Sequence, residues 1–230
     1  MKKTYREAFL SDRRLNSDKY DHYFDIYDHL FGHLYDQDIT YVEIGVQNGG
    51  SLETTSKLFG KNSTIIGVDI DPRCKLLEEK GLAQKIIIGS QTDKLCLEEI
   101  RSSAPAIDIL IDDGSHVQYD MIATFIELFP IIKDNGIYII EDTHTNYSPQ
   151  HQNSFFGLGL YDYFKGLSER LNLDFIDPEL RKHRYKIPRE ERPHIQKSED
   201  VCNHVFSIEF FDSVIAIRKK RKLEPLRIRR

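Results

Sequence analysis

Residues 107–116, Ile-Asp-Ile-Leu-Ile-Asp-Asp-Gly-Ser-His, constrain the fold more than any other stretch of the chain. Their first half is apolar and β-branched, as in a strand buried on both faces of a parallel sheet. The run then stops abruptly in two carboxylates, a glycine, a serine and a histidine. Residues 136–144, Gly-Ile-Tyr-Ile-Ile-Glu-Asp-Thr-His, follow the same grammar. In open α/β sheets ligands gather at the carboxyl ends of the strands, so charged groups placed there meet a ligand more often than a core. If the two strands are neighbours, Asp112, Asp113, Glu141, Asp142 and His116 converge on one rim. So much negative charge in one place is costly unless a cation or protons neutralise it.

The remaining chain supplies the units that such a sheet needs. Residues 16–35 carry Tyr20, Tyr23, Phe24, Tyr27, Leu30, Phe31 and Leu34 at three- and four-residue steps, which predicts an amphipathic helix with Ser17 placed to cap it. Residues 39–45 read as a first buried strand, and a glycine-rich loop to Ser51 leads into a helix over 52–59. A second strand spans 64–69, Pro72 opens a helix, and a third strand covers 85–88 before the polar loop Gly89-Ser-Gln-Thr-Asp93. Helices are expected over 119–129 and 155–171, a fifth strand from Gly136, and a closing antiparallel pair over 205–211 and 214–218. Strands alternating with helices predict an α/β fold, a doubly wound, mostly parallel seven-stranded sheet behind an N-terminal helical segment. The expected division is a helical cap over 1–36, a main domain over 37–218 with an irregular insertion at 172–200, and a basic tail at 219–230.

Composition narrows the class. Apolar residues at 40%, with 12 Tyr and 13 Phe among 230 residues, suit a folded chain with one full-sized core. No apolar run reaches membrane-spanning length, and the start lacks the apolar core of a secretory signal. Three widely spaced cysteines, Cys74, Cys96 and Cys202, are most simply reduced thiols in a cytoplasm. The net charge of −5 hides an asymmetry: residues 218–230 hold eight basic residues and one acid, leaving 24 basic against 36 acidic elsewhere. Basic tails can bind nucleic acid or anionic lipid, but a solvated terminus or contact with an acidic neighbour is the simpler reading, and no nucleic-acid partner is expected.

The glycine loop decides which ligand suits the rim. A dinucleotide site requires Gly-x-Gly-x-x-Gly, whereas Gln47 holds the third loop position here, and no Gly-Lys-Ser/Thr phosphate loop exists. What stands instead is Glu43-x-Gly45-x-x-x-Gly49-Gly50-Ser51, then Asp69 at the tip of strand two, where an acid commonly bonds a ribose diol. A carboxylate within the first motif repels a pyrophosphate and suits a positively charged ligand. S-adenosylmethionine, with a sulfonium, an ammonium and a ribose diol but no phosphate, fits that pattern better than NAD. Ser90, Gln91 and Asp93 are then placed on the adenine side, and Asp112 at the methionine end.

The segments Val42-Glu43-Ile44-Gly45-Val46-Gln47-Asn48-Gly49-Gly50-Ser51, Gly67-Val68-Asp69-Ile70-Asp71, Asp112-Asp113-Gly114-Ser115-His116 and Glu141-Asp142 together resemble class I methyltransferases. The likeness is greatest to metal-dependent sugar O-methyltransferases of macrolide biosynthesis, of the mycinamicin 2-O-methylating kind, and to the cephalosporin hydroxylase-like group. Ser17-Asp18-Lys19 with His22-Tyr23 looks like their upstream segment, and the resemblance covers about residues 16–160. It implies that Asp113, Glu141 and Asp142 bind Mg2+ or another hard divalent cation, and that His116 is the general base. The acceptor it implies is a sugar or sugar nucleotide, and homo-oligomers occur among such relatives. Hard carboxylate oxygens on adjacent strand tips agree with the metal reading, and a base three residues from a ligand agrees with proton removal from a bound hydroxyl. His144 and Tyr147 lie in a polar loop where substrate would pass. Two other readings compete. One His with two carboxylates can also form an Fe(II) oxygenase triad, and the chain could bind an adenosyl group without catalysis.

Overall fold

The computed structural model describes residues 3–11, 14–172, 201 and 204–221, and it is a doubly wound sheet as expected. Strands β1 (Thr40–Ile44), β2 (Thr64–Asp69), β3 (Lys85–Ile88), β4 (Ile107–Asp112), β5 (Ile132–Ile140), β6 (Val205–Phe211) and β7 (Val214–Lys219) form one sheet in the order β3-β2-β1-β4-β5-β7-β6. The first five pair in parallel, while β7 runs antiparallel to both β5 and β6.

Each parallel strand is apolar on both sides because helices cover both faces. Tyr41, Ile109, Ile111, Ile137 and Ile139 face a core built with α1 (Tyr5–Leu10), α2 (Asp21–Phe31) and α3 (Gly50–Leu58). Val42, Ile44, Leu110, Tyr138 and Ile140 face the opposite core. After the short α4 (Leu76–Glu79), that second layer comprises α5 (Lys94–Ser103), α6 (Gln118–Leu128) and α7 (Leu160–Arg170).

The topology fixes where a ligand can sit. Strand order reverses between β1 and β4, which opens a crevice at their carboxyl ends. Ile44 is level with Asp112, and Asp112 is level with Ile140. The residues that follow these three therefore emerge side by side at one rim.

Several local expectations shift. The helix expected over 16–35 is α2, which begins at Asp21 with Tyr20 as an N-cap that makes no side-chain bond, so Ser17 is not its cap, and α1 precedes it. Residues 16–17 instead lie flat on the start of α3, where a Cβ at Gly50 would meet Ser17 Cβ at 2.6 Å. Asp93 caps a helix, α5, that the sequence reading left unassigned, by accepting from Leu95 N and Cys96 N. Strand β5 starts at Ile132, four residues before Gly136. Helix α7 starts at Leu160, because Phe156 and Gly157 adopt positive φ in a turn closed by the Phe155–Leu158 bridge. The tail boundary also moves, since Lys219 ends β7 with its ammonium on the Phe129 and Pro130 carbonyls. Most of the insertion and residues 222–230 lie outside the described residues. Among the described residues no helix is long and apolar enough to cross a membrane.

Gly45 is the pivot between β1 and the loop. Its φ is +88°, and an added Cβ would lie 1.9 Å from the Asp113 carbonyl oxygen. Gly45→Ala is therefore expected to lose stability by about 2–4 kcal/mol, combining left-handed strain with the clash. Urea unfolding measures this, and a variant as stable as the parent would contradict the close approach of the two strand tips.

Candidate functional site

Three turns build the site, one after each of β1, β4 and β5. The first leaves Gly45 and passes Gln47 (φ 42°) and Gly49 (φ 81°) before α3 begins at Gly50. Asp69 holds this loop from the neighbouring strand, accepting from the Gln47 backbone N–H at 2.8 Å and from that of Asp71 at 2.9 Å. Between the loop, residues 16–20 and the tips of β4 and β5 lies a cleft of about 370 Å³.

The other two turns present the polar groups. His116 and Asp142 both adopt left-handed backbone, at φ 58° and 52°. Such conformations persist where the surroundings over-determine them, and they cluster at functional sites. Thr145 ties the two turns together, its hydroxyl reaching the carbonyls of His116 (3.2 Å) and Asp142 (2.7 Å). The Tyr23 hydroxyl donates to Asp142 Oδ1 at 2.7 Å and orients that carboxylate. One donor atom each from Asp113, His116 and Asp142 lie within 4.8 Å of one another, and all three side chains are half-buried. His116 Nε2 stands 3.9 Å from Asp142 Oδ2, too far for a hydrogen bond, and its buried Nδ1 has no partner among the described residues. His144 lines the cleft beside them, with Nδ1 2.5 Å from Ser213 Oγ.

Behind this group lies a buried ionic network. The Lys19 side chain is 6% exposed, and its ammonium donates to Asp113 Oδ2 and to Glu141 Oε2. Glu141 is fully buried, and the Tyr27 hydroxyl donates to its other oxygen at 2.5 Å. Burial opposes the charge on Lys19, yet Glu141 and Asp113 outweigh it and hold the ammonium well above its ordinary pKa. Glu43 accepts from Ser51 (2.5 Å) and Tyr41 (2.7 Å), and burial pushes its carboxyl up against the pull of Lys19.

The expected residues thus divide. Glu43, Gly45, Ser51, Asp113, His116, Asp142 and His144 line the cleft. Gly49 and Asp69 shape its loop. Asp112 and Gln91 do not reach it: Asp112 is 1% exposed and bonded to Gln91 and Tyr138. Alternation along β4 turns Asp112 toward the α5–α6 layer and leaves Asp113 to face the cleft. Gln91 also accepts from the Ser115 backbone, so this pair braces the turn that carries His116, and burial pushes the Asp112 carboxyl up to about 7. Asp93 is engaged as the α5 cap, while Ser90 is exposed and 3.3 Å from the Thr92 hydroxyl. Glu141, at the tip of β5 behind the cleft, accepts from Lys19 and Tyr27. Tyr147 is 74% exposed and stacks on Tyr161.

Lys19, Tyr23 and Tyr27 escaped the residue-by-residue reading. The tyrosines belong to an aromatic stripe that reads as core, and their hydroxyls are what set them apart. Lys19 stood within the Ser17-Asp18-Lys19 segment but had no partner in sequence.

Comparison with known proteins supplies a context for this geometry. Residues 42–143 match a family model described as a methyltransferase domain. The chain is 32% identical over 136 residues to 8-demethyl-8-alpha-L-rhamnosyl tetracenomycin-C 2'-O-methyltransferase of Streptomyces olivaceus, covering 56% of this chain and 35% of that enzyme. It is 35% identical over 130 residues to mycinamicin VI 2''-O-methyltransferase of Micromonospora griseorubida, covering 54% and 32%. The chain therefore spans about a third of the length of these curated relatives. Among solved structures, the MycE methyltransferase from the mycinamycin biosynthetic pathway, in complex with Mg and SAH, superposes with a TM-score of 0.68 at 26% identity. That match covers 86% of this chain and 48% of MycE.

The raised Glu43 carboxyl has a measurable consequence. Its protonated form is favoured in the folded chain, so its contribution is fully present below the ordinary glutamate value of 4.5 and is lost as pH rises through the higher folded value. Glu43→Gln is expected to lose less stability than the parent on going from pH 4 to pH 8. Parallel denaturation curves across that range test this, and an unchanged pH dependence would contradict the buried assignment.

Proposed function

We propose that this chain, whose residues 42–143 match a methyltransferase domain and whose fold superposes on MycE, is a class I methyltransferase that methylates a sugar hydroxyl with S-adenosylmethionine, assisted by a divalent cation. The observation that carries this reading is the convergence of Asp113, His116 and Asp142 at the tips of adjacent strands beside the glycine loop. The residues fit both groups. Two carboxylates beside an imidazole with an unpartnered nitrogen suit a divalent cation. A cleft floored by Glu43, and bare of side chains at Gly45 and Gly50, suits a cationic adenosyl ligand rather than a pyrophosphate.

In this reading Asp113, Glu141 and Asp142 would hold the ion, the loop of Gly45, Gly49 and Ser51 with Glu43 receives the cofactor, and Asp69 and exposed Ser90 serve its adenosine side. When bound, the cofactor supplies the electrophilic methyl group and the cation acidifies the acceptor hydroxyl. His116 takes that hydroxyl's proton on Nε2, which no hydrogen bond to Asp142 engages. Tyr23 keeps the Asp142 carboxylate in one orientation while charge redistributes. His144 in the cleft offers the acceptor a polar contact, and exposed Tyr147, in the same loop and stacked on Tyr161, is assigned to it as an aromatic platform. The acceptor is a small glycosylated molecule or sugar nucleotide rather than nucleic acid, and the enzyme works in the cytoplasm, as a single chain or as an oligomer. The tetracenomycin enzyme, named as the 2'-O-methyltransferase of a rhamnosyl tetracenomycin, supports that substrate class.

The same triad favours one second reading, an Fe(II) oxygenase built on one histidine and two carboxylates. It leaves the glycine loop and its Asp69 brace without a purpose, and product mass separates the two by a gain of methyl or of oxygen.

His116→Ala is expected to lower turnover by about 10²–10⁴ while S-adenosylhomocysteine affinity stays within about twofold, the signature of a lost base. Methyl transfer at wild-type rates would rule the base out. Asp142→Asn is expected to abolish activity together with its divalent-ion dependence, and a variant still fully active in EDTA would defeat the cation's role.

A further inference from the structure

Gln91 follows β3, and two strands separate β3 from β4. Its side chain nevertheless ends against the turn after β4. Oε1 accepts from the Ser115 backbone N–H at 2.7 Å, while Nε2 donates to Asp112 Oδ1 and to the Thr124 hydroxyl, both at 3.0 Å. Only one orientation of the amide satisfies these partners, because its reverse would set N–H against N–H and oxygen against carboxylate. The fit is tight as well as polar: Gln91 is 4% exposed, and a Cβ at Gly114 would lie 2.2 Å from Oε1. The next residue after Ser115 is His116, whose backbone is left-handed at φ 58°. That conformation is costly and needs its surroundings to hold it. His116 is gripped before its Cα by Gln91 through the Ser115 N–H, and after it by Thr145 through the His116 carbonyl.

We propose that Gln91 is a positioning residue for the base: it makes the left-handed turn at His116 the favoured conformation and so aims the imidazole into the cleft. The inference rests on the reading of His116 as base and goes beyond it, since it gives the loop after β3 a part in proton removal. Ser90 in that loop is exposed and serves the adenosine side in the same reading. One short loop thus serves the cofactor with one residue and the base with the next. Without the amide, the Ser115 N–H has no acceptor among the described residues, and the turn relaxes toward ordinary backbone. Asp112 completes the device from below: the Tyr138 hydroxyl donates to it at 3.0 Å and fixes the carboxylate on which Gln91 rests.

Nuclear magnetic resonance of the full chain tests this without an acceptor. Two signals are followed, deuterium exchange at the Ser115 amide and the ring resonances of His116. His144, in the same cleft but bonded to Ser213, is the control. Gln91→Met is expected to speed Ser115 exchange about tenfold or more, as one lost hydrogen bond does. The His116 ring signals are expected to shift or broaden while those of His144 stay in place. The paired variant Gln91→Glu/Asp112→Asn swaps donor and acceptor between the two side chains and keeps an oxygen for Ser115. It is expected to bring both signals back close to wild type. S-adenosylhomocysteine affinity is expected to stay within about threefold throughout, as for a residue that acts on the base and not on the cofactor. Unmoved His116 signals in Gln91→Met overturn the inference, as does a paired variant no better than Gln91→Met. A larger loss of S-adenosylhomocysteine affinity overturns it too, and returns Gln91 to the cofactor. If Gln91→Met fails to fold, Thr124→Val, which removes one of the two partners of Nε2, decides on the same two signals. A His116→Ala variant that methylates at the full rate defeats the base reading and this role together, whereas unmoved His116 signals defeat this role alone.

Discussion

Carboxylates at the end of a buried sheet are tolerated only where each has a partner, because an unpaired charge out of water costs several kcal/mol. Glu43, Asp113, Glu141 and Asp142 crowd one rim, and the fold answers them with a few donors, of which Lys19 is shared by Asp113 and Glu141. Glu43 has Ser51 and Tyr41, Glu141 has Tyr27 and Lys19, and Asp142 has Tyr23. Three of these partners, Lys19, Tyr23 and Tyr27, come from the N-terminal segment and α2. That helix is thus more than a cover for the sheet, since it supplies the donors that make the acidic rim affordable.

The sheet topology accounts for the rest of the site. Reversal of strand order between β1 and β4 opens the crevice, and the register that sets Ile44, Asp112 and Ile140 level brings Gly45, Asp113 and Glu141 to the same height. Gly45 must be glycine for this to happen, because the Asp113 carbonyl occupies the space of a Cβ. The left-handed turns at His116 and Asp142 then redirect the chain, so an imidazole and a carboxylate meet across the gap between β4 and β5. Strain at those two residues is held by Thr145, which bonds to both turns.

Much of this was legible in the chain. Apolar runs ending in Asp-Asp-Gly-Ser-His and Glu-Asp announced two buried strands with functional tips, and the parallel sheet followed from strands alternating with helices. The sequence was less informative about which carboxylate of each pair faces the ligand. Asp112 and Asp113 are equivalent as letters, and only their alternation across β4 separates a brace from a cleft residue. The partner of Glu141 was hidden for another reason, since Lys19 lies 122 positions away and becomes adjacent only after the N-terminal segment folds over the rim. The start of α2 was misplaced because the aromatic period runs through Tyr20, whereas residues 16–20 are taken up by packing on Gly50 and lining the cleft.

Anomalous diffraction from a crystal grown with Mn2+ and S-adenosylhomocysteine tests most directly whether two neighbouring strand tips share one ion. The expected result is a single strong peak in the cleft, within bonding distance of Asp113, Glu141 and Asp142, with the homocysteine sulfur on the same side of the sheet. A peak elsewhere, or a cofactor seated away from the glycine loop, would contradict the account.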